Sequence, residues 1–113
     1  MRSVVWVGSS KDDISALPGP VKASFGYRLR LVQQQETPLD CRALRQFGPG
    51  VFELRESFEG NAYRLIYVVN LRNSIYVLHA LMKKSKSGIA MARADVALIE
   101  ARLRRARALD AES

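Results

Sequence analysis

The sequence predicts an α+β domain, a twisted antiparallel sheet with two helices before it and one after, in the order β-α-α-β-β-β-α. Three observations lead there. Residues 51–82 hold three β-prone stretches separated only by turn residues. Apolar residues recur at helical spacing on either side, at 19–35 and again at 91–108. No strand–helix–strand alternation runs through the chain, which argues against an α/β sheet. The 113 residues form one domain, 1–113, with no room for a second core.

Each element has a local reason. Residues 3–7 (SVVWV) are β-branched and aromatic and stop at Gly8, as a short first strand would. Ser10 followed by Asp13 resembles a capping box, and Ile14 and Leu17 continue a short helix up to Pro18-Gly19-Pro20. Val21, Phe25, Leu29 and Val32 mark the apolar stripe of a second helix, with Lys22, Arg28 and Arg30 off it. Residues 36–50 show no period and end in Phe47-Gly48-Pro49-Gly50, a loop closed by a turn. Residues 51–58 alternate, Glu59-Gly60-Asn61 turns, and 62–70 (AYRLIYVVN) reads as a central strand broken in polarity only by Arg64. A turn at 72–74 leads to a last strand, 75–82, carrying His79. Residues 83–88 (KKSKSG) are a basic loop. A final helix places Val96, Ile99, Leu103 and Ala106 inward, and the tail, 109–113, is expected to fray.

Charge narrows the function. The chain carries +7, and residues 83–107 supply eight Lys/Arg against Asp95 and Glu100. That excess favours a polyanionic partner. One cysteine, Cys41, excludes an internal disulfide, and one histidine, His79, excludes a Cys/His zinc cluster. No phosphate loop, GxGxxG, HExxH or CxxC is present, and the residues point to no cofactor. No apolar run reaches the roughly 18 residues of a membrane span, so the reading is a cytoplasmic protein without a membrane partner.

Arg64 is the informative residue. Alternation puts it on one face with Ile66 and Val68, and antiparallel pairing can bring Arg55 beside it, next to the basic loop. Such a face can hold a phosphate and stabilise charge developing on it. Equally, Arg64 can pair with Glu53 across the strands. The alternatives stay open for His79 too: a general acid or base, or a strand histidine with a packing or hydrogen-bonding role.

The stretches FGPGVFELRESFEGNAYRLIYVV and IYVLHALMKKSKSGIAMARADVALIEARLRR resemble the HigB branch of the RelE-like toxins, phage-derived relatives included. The resemblance spans 47–107. It implies a metal-independent endoribonuclease that cleaves mRNA, on the ribosome, through the RNA's own 2′-hydroxyl and so arrests translation and growth. It also implies an adjacent antitoxin of the helix-turn-helix HigA type, with DNA met only through the complex. Residue by residue, it matches Arg64 to a strand arginine that contacts the scissile phosphate, Arg55 to a basic residue on the preceding strand, and Lys83, Lys84 and Lys86 to basic residues after the last long strand. The catalytic candidates are thus Arg64 and Lys84, with His79 added from the residues alone, and Arg55, Lys83 and Lys86 are the RNA contacts. The chain departs from the pattern twice. The tail 108–113 has no Tyr or His, and Glu53 stands where some relatives carry lysine. The rival reading is a non-catalytic RNA- or protein-binding module of the same fold, an inactive toxin or a phage protein that inhibits a host enzyme.

Overall fold

A computed structural model describes residues 1–69, 71–72, 74–83 and 91–112. The elements are β1 (Ser3–Trp6), α1 (Ser10–Ser15), α2 (Gly19–Gln33), β2 (Cys41–Ala43), β3 (Val51–Phe58), β4 (Asn61–Val68), β5 (Ser74–Lys83) and α3 (Arg93–Glu112), with a 3-10 turn at Arg45–Phe47. The strands make one sheet in the order β1-β5-β4-β3-β2. The two N-terminal helices and the C-terminal helix around it give the α+β architecture expected, compatible with a RelE-like arrangement.

The helices take opposite faces. Ile14, Val21, Phe25, Leu29 and Val32 pack on Leu54, Tyr63, Leu65, Tyr67, Ile75 and Val77. Ile99, Leu103 and Ala106 of α3 pack on Val51, Ile66, Val68, Tyr76 and Leu78. Both faces of β4 are therefore buried, which is why its sequence is apolar on both. A bulge in β5 shifts the register, from Ile66 opposite His79 to Tyr67 opposite Val77. The extra residue, Leu78, joins the α3-side core, so it and His79 turn the same way in succession.

The structure corrects the sequence reading in several places. The sheet is mixed, because β1 pairs parallel to β5, with Ser3 opposite Ser74 and Trp6 opposite Val77. The expected loop 36–50 contains β2, too short for a period to show. Ser10 does not cap α1. It lies inside the helix, buried, and its hydroxyl donates to the Val77 carbonyl at 3.1 Å. Arg28 is buried rather than solvated. It donates to the Leu39 carbonyl at 3.1 Å and Ser24 Oγ at 3.0 Å, and faces Glu56 at 3.5 Å. Residues 109–112 belong to α3, which runs to Glu112. Asp110 holds it by accepting from the Arg72 N–H at 2.7 Å and the Tyr76 hydroxyl at 3.1 Å.

Candidate nucleic-acid interface

Antiparallel pairing sets residues opposite one another with their side chains on one face. Arg42 lies opposite Glu53, Arg55 opposite Arg64, and Ala62 opposite Lys83. Arg42, Arg55, Arg64 and Lys83 thus form a stripe across β2, β3, β4 and β5 on the α3 side of the sheet. They lie beyond the apolar residues that α3 covers. Arg64, 2% exposed, forms an ion pair with Glu53 at 3.5 Å, and Arg55 faces the same carboxylate at 4.0 Å. Four cations therefore surround one carboxylate. Arg64 and Arg55 meet as alternation suggested, and the cross-strand pairing with Glu53 is realised as well. Arg64 is buried, held by its neighbours.

The partly buried Lys83 ammonium is held below the usual lysine range. Loss of water contributes most, followed by the positive charges of Arg64 and Arg55. Glu53 opposes the shift and Arg42 adds to it. A lysine in that state gives up its proton more readily than one in water. Lys84 and Lys86 lie outside the described residues.

His79 sits at the other end of the same face, in a second cluster. Its Nε2 is 2.9 Å from Asp95 Oδ1 on α3, and its Nδ1 is 3.3 Å from Asp13 Oδ2 on α1. Arg102 donates to the same Asp13 oxygen at 3.1 Å, to the Leu78 carbonyl at 2.9 Å and to Ser9 Oγ at 2.7 Å. Gly8, at φ +60°, leaves room for that guanidinium, since a Cβ there would stand 2.8 Å from Arg102 Nε. Both ring nitrogens lie within hydrogen-bond reach of a carboxylate, and the residue is 7% exposed. Sequence reasoning missed Asp13, Asp95, Arg102 and Arg42. A lone strand histidine needing acceptors was the one available hint of the first two.

Beside the stripe, at the end of β2, lies a cavity of about 410 Å3 lined by Asp40, Cys41, Arg42, Arg55, Glu56, Ser57 and Ala62. Among the described residues no group of His, Cys, Asp or Glu could hold a metal ion. No helix among them is long and apolar enough to cross a membrane.

Fold and site together define a small α+β domain that gathers cations of four strands on one face. Residues 12–104 match the family described as Phage derived protein Gp49-like (DUF891), and the chain belongs to that family. No curated protein and no solved structure gives a match.

Proposed function

We propose that the protein is the toxin of a type II toxin–antitoxin pair, an endoribonuclease that cleaves mRNA on the translating ribosome and needs no metal. The observation that carries this reading is the stripe of Arg42, Arg55, Arg64 and Lys83 around Glu53. The Gp49-like family is itself associated with toxins of such pairs. The HigB/RelE resemblance points the same way.

The chemistry follows from the charges. A guanidinium fork grips two phosphate oxygens and never loses its charge near neutral pH. Arg55 and Arg64 oppose the negative charge that builds on the phosphate as it becomes pentacoordinate. Lys83, whose proton is held less tightly than usual, acts as base in the fraction that has lost it: the neutral amine takes the proton of the 2′-hydroxyl as that oxygen attacks phosphorus. The new O2′–P bond replaces the P–O5′ bond, leaving a 2′,3′-cyclic phosphate. The departing 5′-oxygen takes up a proton as a free hydroxyl. Lys84 as a catalytic cation and Lys86 as an RNA contact extend the same basic run. His79, between two carboxylates, positions the start of α3 and does not touch RNA. The partner is an adjacent antitoxin of the helix-turn-helix type, with carboxylates set against the stripe, because burying unmatched cations is costly. It carries the complex to DNA. The protein works in the cytoplasm, where translation occurs.

One observation favours the rival, non-catalytic module: Glu53 already occupies the Arg64 guanidinium. Inducing the chain with and without the neighbouring gene separates the two. Cleavage predicts growth arrest and new RNA ends carrying 5′-hydroxyls, both suppressed by co-expression. Normal growth with intact transcripts at high soluble expression rejects the nuclease.

A further inference from the structure

We propose that the 410 Å3 cavity at the end of β2 is a nucleoside subsite that prefers a base with an exocyclic amine. This rests on the reading of the stripe as an RNA site. The cavity falls in the size range that encloses one small ligand. It shares Arg42 and Arg55 with the stripe, so a phosphate held there leaves its nucleoside at the cavity mouth.

The cavity exists because β2 is shorter than β3. Cys41 is the first residue of β2 and pairs with Leu54, whereas β3 runs on to Phe58. The Leu44 N–H donates to the Val51 carbonyl at 2.9 Å, which turns the backbone groups of 51, 53, 55 and 57 towards β2. At Arg55 and Ser57 that edge has outrun β2 and borders the cavity. Glu56 folds back over it, accepting from the Ser57 N–H at 3.2 Å, and also faces Arg28 at 3.5 Å. Asp40 turns the chain into β2 at φ 55°, a left-handed conformation that aspartate tolerates better than most residues.

The lining also sets the preference. Ionised Asp40 and Glu56 accept hydrogen bonds and donate none. A base edge that meets them must donate, as the amines of adenine, cytosine and guanine do. Uracil offers a single donor, N3–H, between two carbonyl oxygens that face the same carboxylates, and is disfavoured. Asp40→Asn tests this directly. Asparagine also tolerates the left-handed backbone, but its amide donates as well as accepts, so discrimination against uracil should collapse.

The experiment measures binding of fluorescein-labelled hexa-adenylate and hexa-uridylate, both with 2′-deoxy sugars to block cleavage, to the full chain and to Asp40→Asn and Lys83→Ala. Homopolymers differ in their own stacking, so the readout is the change in the adenylate-to-uridylate ratio. Asp40→Asn should lower that ratio by about fivefold or more, the discrimination of one good contact to a base edge. Lys83→Ala should weaken both oligomers alike and leave the ratio unchanged. A ratio that Asp40→Asn leaves unchanged, while Lys83→Ala still weakens binding, overturns the subsite and spares the RNA reading. Failure of both oligomers to bind overturns the RNA reading and the subsite with it. Amide shifts at Arg42, Arg55 and Ser57 produced by an oligo-glutamate peptide, but by neither oligomer, overturn the subsite in favour of peptide docking on the open β3 edge.

Discussion

Two charged clusters share the α3-side face of one sheet, and they differ in balance. Around His79, two carboxylates, Asp13 and Asp95, meet one guanidinium and the imidazole between them. Around Glu53, one carboxylate meets three arginines and a lysine. The two sit about 13 Å apart along β5, counting four residues from His79 to Lys83. The first is closed on itself and joins α1, β5 and α3. The second has a surplus that its own residues cannot neutralise. Charge held in mutual contacts, as around His79, fits a role in the fold, and charge left over within the same regular frame fits the ligand role proposed for the stripe.

The sharpest way to break this contrast is Arg64→Ala. It leaves Glu53, 1% exposed, facing Arg55 at 4.0 Å. Removing one partner of a buried pair costs about 3–5 kcal/mol. The variant should unfold well before the wild type in urea, and Glu53→Gln combined with Arg64→Met should recover most of the loss. If Arg64→Ala unfolds at the wild-type urea concentration, Arg64 is no structural partner. If it also remains fully toxic, Arg64 leaves the site.

Next comes His79→Ala, which removes both carboxylate contacts. We expect a loss of about 3 kcal/mol as Asp13 and Asp95 lose their shared partner. RNA affinity, measured below the melting temperature, should not change. A drop in affinity without a drop in stability would place His79 in the site instead. Asp110→Ala removes acceptors from the Arg72 N–H and the Tyr76 hydroxyl and should cost about 1–3 kcal/mol. Faster hydrogen exchange confined to the last turns of α3 would localise the loss.

Lys83→Ala has the smallest effect on folding and the clearest on RNA. The slope of log affinity against log salt should become shallower by about one. The pH dependence follows from the depressed lysine. Below 10.5 the unfolded chain holds the Lys83 proton more tightly than the folded one, so stability rises as pH climbs towards that value. Tyr67 and Tyr76 act in the opposite sense. Burial raises both phenols above 10, reinforced by a hydrogen bond with Cys41 in one and by donation to Asp110 in the other, so stability falls above about pH 10. Lys83→Ala should flatten the rise and keep the fall. A variant whose urea midpoint climbs with pH as steeply as the wild type's would deny the lysine's role.

The meander and the two long helices were legible because their periods extend over many residues. Phe25 and Leu29 announce one helix face, and Tyr63, Leu65 and Tyr67 one strand face. The direction of β1 was not legible, since SVVW says strand and nothing in it says parallel. Asp110 looked like part of a polar tail because its two partners lie 38 and 34 positions earlier in the chain. In the site, Arg55 and Arg64 could be placed by alternation within a hairpin. Arg42 and the Asp13–His79–Asp95–Arg102 cluster could not, because tertiary packing brings those segments together and no sequence spacing records it. The bulge at Leu78 also reverses the alternation that would have put His79 and Leu78 on opposite faces.

The parallel pairing of β1 with β5 has a consequence for synthesis. Ser3 waits for Ser74, and Trp6 for Val77, so the first strand made has no neighbour until most of the chain has left the ribosome. Closing a loop that long is entropically slow, and parallel pairing brings no local hairpin to help. During that interval Val4, Val5 and Trp6 are an unsatisfied apolar edge, available to a chaperone or to a second nascent chain. Lys83, too, reaches its place beside Arg64 only when β5 docks. The basic stripe is therefore finished late, and a newly started chain does not yet carry the surface proposed to meet RNA.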